Sequence, residues 1–324
     1  MAVSINGNLV AIDCWDPEST VNFVSHAHSD HISGIRKSRK VIASRITKEL
    51  VETRDSRKKI ELAEGIPGVE LPNAGHILGS KQLYAASEEL GASILYSGDY
   101  QMDNLPVAER IDLKEADILI IDSTYPDPGD IFGDRQEIIL SIQKFMKSAL
   151  EKGIVLFSSY ALGKAQEINH IANEIGICPI VDKKISAVNG LYSRNGVNLE
   201  YLSIDNDESE FESALGRNFL GISSMSNFRE LASRLSGAYN KRVYTAVASG
   251  FAKNFYMGTY AQFPLSDHAD FKQALEYVSA CSPSKIYTRG SHKSAGIFAK
   301  NLAKNGYNAE VFNNNIPASW HATC

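Results

Sequence analysis

Three histidines and one aspartate lie within six residues of one another near the start of the chain, in the run HAHSDH at residues 26–31. The apolar segment just before it, residues 21–24, predicts a β-strand that ends where the polar residues begin. Imidazole and carboxylate groups are the ligands that Zn²⁺ and similar cations select, and without a metal so many crowded polar groups would lack partners. We therefore expect a metal site on the loop that leaves this strand. The candidate ligands in the run are His26, His28, Asp30 and His31.

A less specific alternative is that His26 and His28 are merely two residues on the same face of an extended segment. The density of the cluster disfavours it, and further candidate ligands follow along the chain. His76 stands between two glycines that allow close approach to a crowded centre. Asp99 and Asp122 each end an apolar strand-like run. An aspartate at a strand end often caps a turn or helix, but the ordered series predicts a two-metal hydrolytic centre.

The order of these motifs resembles the metallo-β-lactamase superfamily: the run at 26–31, then His76, then Asp99, with Asp13 at the position of the acidic residue that precedes the cluster. Later segments resemble the β-CASP nucleases, closest to ligase-associated DNA exonucleases, crosslink-repair nucleases and archaeal mRNA 3′-end processing factors. The segments that carry this second resemblance are 122–125 (motif A), 157–167 (the start of the cassette) and 263–270 (motif B). The resemblance covers nearly the whole chain and implies an α/β fold, an αββα sandwich with an inserted α/β cassette.

A change of pattern near residue 134 gives the expected domain limits. Apolar residues at three- and four-residue spacing predict a helix over 138–149, followed by a buried strand at 154–157 and a second helix over 165–175. A strand at 243–247 is expected to close this cassette. We thus predict a discontinuous metal-binding domain, residues 1–133 and 252–324, interrupted by a cassette at 134–251.

The resemblance also implies roles for the candidate residues. One zinc is expected to be held by His26, His28 and His76, and a second by Asp30 and His31, with Asp99 bridging the two. His268 in motif B is then the candidate general acid, oriented by Asp122, because a carboxylate fixes the imidazole tautomer and stabilises its charged form. The alternative for this pair is a structural hydrogen bond that closes the domain. The candidate catalytic residues are Asp30, His268 and Asp122.

One departure from the family pattern concerns Arg289, which stands where RNA-processing relatives carry a motif C histidine. A guanidinium stays protonated and does not ligate metal. Without this histidine, the second site is expected to bind its metal weakly or to take manganese. Alternatively, His292, two residues after Gly290, supplies the missing ligand. The missing histidine favours DNA as substrate. Arg289 could clamp a substrate phosphate or be an ordinary surface arginine, and Lys164 and Ser159 are further candidates for substrate binding.

The composition is that of an intracellular enzyme, for which we expect a cytoplasmic location. Of 324 residues 44% are hydrophobic, no apolar run reaches membrane-spanning length, and the N-terminus does not resemble a signal peptide. The four cysteines are widely separated, which suits reduced thiols. The net charge of −5 argues against nucleic acid covering the whole surface, although bound dications supply positive charge locally. Basic runs at 36–40 and 54–59 are candidates for contacts with a nucleic-acid backbone.

Three classes of function remain open. The favoured one is a zinc-dependent nuclease with two zinc ions, a DNA exonuclease. The second is an RNA-processing nuclease of the same fold. The third is a small-molecule metallo-hydrolase or an inactive binding subunit, which the cassette and the intact histidine cluster disfavour. Family analogy alone suggests repair or RNA-processing partner proteins.

Overall fold

The computed structural model describes residues 2–33, 35, 40–57, 59–87, 91–203, 214–224 and 228–313. The chain divides into two compact units, Met1–Ile131 with His268–Cys324, and Phe132–Asp267. We call them the metal unit and the cassette.

The metal unit contains two sheets. The first has strand order β1-β2-β3-β4, and the second has β16-β15-β8-β7-β6-β5. Their strands are β1 Ala2–Ile5, β2 Asn8–Ile12, β3 Val21–Phe23, β4 Val41–Ile42, β5 Val69–Glu70, β6 Leu83–Ser87, β7 Ala92–Tyr96, β8 Ile118–Asp122, β15 Lys285–Arg289 and β16 Ala309–Val311. The helices are α1 Arg45–Arg54, α6 Phe271–Cys281 and α7 His292–Lys304.

Two apolar clusters hold these layers together. Residues such as Ile12 and Phe23 of the first sheet share one buried cluster with Ile94 and Ile120 of the second, so the two sheets pack face to face. The other face of the second sheet forms a separate cluster with α6 and α7. Burial of these apolar faces is the main stabilising contribution to the sandwich.

The cassette is built on one six-stranded sheet in the order β11-β10-β12-β9-β13-β14, and every pairing in it is parallel. Its strands are β9 Ile154–Ser159, β10 Ile180–Val181, β11 Leu202–Ser203, β12 Leu220–Ser224, β13 Val243–Ala248 and β14 Ala261–Phe263. The described helices are α2 Arg135–Leu150, α3 Lys164–Asn173, α4 Lys183–Arg194 and α5 Phe228–Tyr239, with a short 3₁₀ helix at Gly250–Lys253. Strand β9 is buried along its whole length, as is typical of a central strand in a parallel sheet.

The predicted helices of the cassette are confirmed. The predicted helix over 138–149 lies within α2, whose N-cap Asp134 accepts a hydrogen bond from the backbone N–H of Glu137. The predicted α/β fold with its inserted cassette is also confirmed. Residues 252–267, which the sequence pattern assigns to the first domain, carry β14 and lie in the cassette because β14 pairs with β13. None of the helices in the described part of the chain has the length and apolar character needed to cross a bilayer.

Candidate metal centre

The 26–31 run forms the loop after β3, as the sequence predicts. Strand β3 ends at Phe23, and Val24 N–H still donates to Ile42 of the neighbouring strand before the chain leaves the sheet. The guanidinium of Arg54, at the end of α1, donates to the carbonyl of Ala27 and to Ser29 Oγ. These hydrogen bonds hold the loop of candidate metal ligands in place, so the side chain of Arg54 has a structural role here. Of the basic run at 36–40, residues 36–39 lie outside the described part of the chain.

His76 lies on a tight loop shaped by two glycines. Gly75 has φ +77°, and a Cβ at this position would come within 2.5 Å of the carbonyl oxygen of Gln101. Only glycine fits this approach without displacing backbone. Ser80 Oγ accepts hydrogen bonds from the N–H groups of His76 and Ile77, which closes the loop. The imidazole is therefore held on a rigid turn.

Four of the predicted ligands converge. One ligand atom from each of His26, His28, His76 and Asp99 lies within 4.8 Å of the others. The Nδ1 atom of His28 is 3.0 Å from His26 Nε2 and 3.1 Å from His76 Nε2. Asp99 Oδ2 is 3.5 Å from His26 Nε2 and 3.9 Å from His76 Nε2. His26 and His76 are fully buried, so the group faces inward from three separate loops.

This geometry fits a tetrahedral zinc ion. With Zn–N bonds near 2.0–2.1 Å, the nitrogens of a tetrahedral site lie about 3.3 Å apart. The distances between ring nitrogens are close to this value, and three imidazoles with one carboxylate are a donor set that Zn²⁺ accepts. Buried ring nitrogens that face one another this closely are also difficult to explain without a shared cation or proton.

His31 and Asp30 form a second group of predicted ligands beside the same carboxylate, Asp99. His31 Nε2 is 3.3 Å from Asp99 Oδ2 and 3.5 Å from Asp30 Oδ2. The same Asp99 oxygen thus faces both groups of predicted ligands, which is the position a bridging carboxylate needs. The side chain of Asp30 is 79% exposed, so it is oriented by its loop and not by packing.

Asp13 holds His31, a member of the second group of predicted ligands, through a hydrogen bond. Its carboxylate is buried and accepts hydrogen bonds from the N–H and the hydroxyl of Ser25, from His31 Nδ1 and from the hydroxyl of Tyr96. The bond from Nδ1 leaves His31 Nε2 facing Asp99. Ser25 and Tyr96 were not predicted as part of the site. The sequence does contain one indication for Tyr96: it is the last residue of a predicted strand and lies next to the Gly98-Asp99 turn.

Burial and neighbouring charges shift the pKa values in this group. Burial, with His31 next in importance, holds the pKa of His26 well below its usual 6.5. Burial acts in the same direction on His31, but the carboxylates of Asp99 and Asp13 outweigh it and raise the pKa of His31. Burial would raise the pKa of Asp99, yet His31 and His26 lower it well below the usual value. Neutral His26 is therefore ready to bind a metal, whereas His31 must release a proton first.

His268 and Asp122 also reach this centre. His268 directly follows the last residue of the cassette. Its backbone carbonyl accepts a hydrogen bond from Gln101 Nε2 of the metal unit. His268 Nε2 is 4.0 Å from Asp99 Oδ2, and His268 Nδ1 is 3.7 Å from Asp122 Oδ2. The second distance exceeds a hydrogen bond. Asp99, Asp122 and His268 also form a group that could hold a metal, so this geometry suits either a ligand or a proton donor.

Arg289 ends β15 beside Asp122 on β8, and its side chain turns toward Asp13. Its Nη1 lies 3.6 Å from Asp13 Oδ2 and hydrogen bonds Tyr96 Oη. These neighbours raise the pKa of Arg289 in spite of its burial. His292 begins α7 as an exposed residue and is absent from the ligand groups found among the described residues. The predicted contacts of Arg289 and His292 with substrate stay predictions.

Lys164 and Ser159, the other substrate candidates, are buried in the cassette. Lys164 Nζ donates to Glu167 Oε2 at 2.6 Å, and Arg135 pairs with the second oxygen of Glu167. A buried carboxylate needs such partners, and here it has two cations. Ser159 Oγ has no hydrogen-bond partner in the described structure. A phosphate would have to compete with Glu167 for Lys164.

Comparisons with known proteins find relatives of similar sequence and a solved structure of similar fold. A scan against models of protein families finds no match. The chain is 28% identical over 298 residues to "Probable DNA ligase" of Opitutus terrae, covering 89% of this chain and 28% of that protein. It is 31% identical over 180 residues to "RNase J-like protein" of Methanocaldococcus jannaschii, covering 46% of this chain and 42% of the relative. It is 23% identical over 307 residues to "5′ exonuclease Apollo" of Danio rerio, covering 86% of this chain and 50% of the relative.

The chain therefore spans half or less of the length of these relatives. Among solved structures, a protein of unknown function from Enterococcus faecalis V583 is similar with a TM-score of 0.59 and 13% identity, covering 92% of this chain and 80% of that one. This likeness concerns the fold alone. The motif series, the fold and these similarities agree with the resemblance to the β-CASP nucleases of the metallo-β-lactamase superfamily.

Proposed function

We propose that this chain is a metal-dependent nuclease that hydrolyses phosphodiester bonds of DNA, as an exonuclease. The observation that carries the proposal is the convergence of His26, His28, His76 and Asp99 within 4.8 Å, with His31 Nε2 3.3 Å from the same Asp99 carboxylate. Relatives that carry nuclease names, such as "5′ exonuclease Apollo", support the reaction class. The similarity to a region of "Probable DNA ligase" supports DNA, and a ligase as a functional partner.

The cofactor we propose is zinc, with two ions in the full centre. His26, His28 and His76 would hold the first ion, Asp30 and His31 the second, and Asp99 both. When bound, divalent cations in such a centre neutralise charge on the scissile phosphate and acidify water. The second group offers fewer ligands and no motif C histidine, so its ion is expected to bind more weakly or to be manganese.

The remaining residues of the centre are proposed to transfer protons or to orient other side chains. Asp13 holds His31 through Nδ1 and thereby fixes which nitrogen faces the centre. His268, 4.0 Å from Asp99, is placed to give a proton to the leaving oxygen, and Asp122 stabilises its charged form from 3.7 Å. Arg289 lies between Asp13 and Asp122 in a position to attract a phosphate as well as to support Asp13.

The second candidate is an RNA-processing nuclease. The similarity to "RNase J-like protein" favours it, and a nuclease centre of this type has no intrinsic preference for one sugar. A small-molecule hydrolase does not need the cassette. We propose a cytoplasmic location, which the wide separation of the four cysteines along the sequence supports.

The test is digestion of end-labelled single-stranded DNA, duplex DNA and RNA by the purified chain with zinc or manganese added. We expect stepwise shortening of DNA from one end, with RNA cleaved more slowly. Rapid cleavage of RNA alone would replace the main proposal by the second. An absence of cleavage of any of the three substrates by zinc-loaded protein would reject both nuclease proposals.

A further inference from the structure

The cassette presents exposed aromatic side chains on one short segment after β13. Phe251, Phe255 and Tyr256 are 46%, 62% and 81% exposed, so most of each ring faces solvent. Large apolar side chains that are this exposed and this close in sequence are uncommon on a soluble surface and mark a binding surface. Phe255 N–H donates to the carbonyl of Phe251, four residues earlier, which closes one helical turn and places their side chains on the same side.

This segment is held rigidly by one glutamine. Gln262, on β14, donates from Nε2 to the carbonyls of Ala252 and Phe255, and its Oε1 accepts from Met257 N–H. Both ends of the aromatic turn are thus tied to the edge of the sheet. A rigid surface binds a ligand with less loss of conformational entropy than a mobile loop does.

The same segment continues into the wall of a cavity of about 350 Å³. The wall is formed by Met257, Gly258 and Thr259, by the first turn of α5 with Arg229, and by residues at the ends of β9 and β13. This volume is within the range of small-ligand pockets. In a parallel sheet such crevices lie where connections from neighbouring strands go to opposite sides, as they do between β9 and β13.

The segment that contains the aromatic turn is locally basic. From Leu231 to Ser266 the chain contains four basic residues and no acidic one, although the whole chain has a net charge of −5. Lys253 lies within the aromatic turn and is exposed. Arg229 lies on the cavity wall, where a Cβ on Gly258 would come within 2.4 Å of its Nη2, and Glu230 lies on the same wall. Exposed aromatic rings interleaved with cations are typical of surfaces that bind single-stranded nucleic acid.

We propose that this surface of the cassette, consisting of the aromatic turn and the adjoining cavity, binds unpaired nucleotides of a single-stranded nucleic acid. Bases stack on Phe255 and Tyr256, the cavity takes one unstacked base, and Lys253 and Arg229 contact the backbone. The inference deepens the proposed nuclease function, on which it rests, by specifying that the substrate is held as a single strand.

The test is a binding measurement that is separate from cleavage. Fluorescence anisotropy with a short labelled single strand of DNA, and with the same sequence as a blunt duplex, is recorded with a chelator present. In the double variant Phe255→Ala/Tyr256→Ala we expect affinity for the single strand to fall about 10-fold or more, the value of a lost base–aromatic stack. Lys253→Gln should weaken binding and reduce the dependence of affinity on salt.

Leu140→Ala is the matched control, because Leu140 is an exposed apolar residue on α2 of the same unit. It should leave the affinity unchanged. An unchanged single-strand affinity in the double variant, with its circular dichroism spectrum preserved, would overturn the proposal. So would an equal loss of affinity for the blunt duplex.

Cleavage is then measured on a small chromogenic phosphodiester with zinc added, and the double variant should retain the wild-type rate. If the wild type binds single strands through this surface but cleaves neither DNA nor the chromogenic ester, the nuclease function fails and the binding surface stands. If the wild type cleaves DNA and the double variant binds single strands with the same affinity as the wild type, the proposed binding surface is rejected and the nuclease function stands.

Discussion

The buried carboxylate of Asp13 gives the sharpest prediction from the structure. One of its oxygens accepts from Ser25 N–H at 2.7 Å, and the other accepts from Ser25 Oγ and His31 Nδ1 at 2.7 Å and from Tyr96 Oη at 2.8 Å. Asp13→Asn keeps one oxygen and replaces the other by an NH₂ group that faces three donors. Asparagine tolerates the left-handed backbone of this residue, φ +50°, so the substitution adds no backbone strain.

The expected magnitude follows from the burial of this network. Removing one partner of a buried ionic group costs about 3–5 kcal/mol, because the remaining polar groups stay buried without compensation. We expect Asp13→Asn to lower the free energy of unfolding of the metal-free protein by that amount in urea denaturation. Asp16→Asn is the control, since its side-chain oxygen accepts from the N–H of Glu18, a bond that asparagine retains, and its effect should be about 0.5 kcal/mol or less. A loss below about 1 kcal/mol for Asp13→Asn would refute the role of this anchor.

Three further predictions concern the centre and the cassette. Asp99→Asn should lose bound zinc and nuclease activity together, measured by elemental analysis and digestion of labelled DNA; full activity would exclude the bridging role. His268→Ala should keep its zinc and cleave slowly, whereas loss of zinc would make His268 a ligand instead of the acid. Glu167→Gln should destabilise the protein at neutral pH, since it leaves the buried Lys164 and the half-buried Arg135 without their shared carboxylate. Burial would raise the pKa of Glu167, but the two cations hold it below 4.5, so its stabilising contribution is complete above pH 4.5 and lost as pH falls through the lower folded value. The difference in unfolding free energy between wild type and Glu167→Gln should therefore narrow below pH 4.5, and a constant difference would contradict this reasoning.

The sequence contained most of the information about the primary ligand group. His26, His76 and Asp99 each follow a strand-like run or lie between glycines, and ligands at strand ends meet at one edge of a sandwich. The start of α6 at Phe271 also has a local cause. Asp270 caps it, accepting from Gln273 N–H, and such caps are readable within four residues.

What the sequence did not reveal depends on pairing between distant residues. The approach of Arg289 to Asp13 depends on the packing of β15 against the interior, and no local spacing encodes it. Lys164 has the position of a helix N-terminal cation, but its burial with Glu167 results from the packing of α3 in the cassette. Strand β14 is three residues long and only half-buried, so it lacks the alternation that would have assigned 252–267 to the cassette.

The central claim is that separate loops of one unit join to bind a divalent cation through imidazole and carboxylate groups. X-ray absorption at the zinc edge, on metal-free protein to which one equivalent of zinc has been added, tests it most directly. The geometry of His26, His28, His76 and Asp99 predicts a single tight shell of three nitrogens and one oxygen at about 2.0–2.1 Å, and loss of part of this shell in His76→Ala. A shell of water oxygens alone, or one unchanged by His76→Ala, would contradict the account.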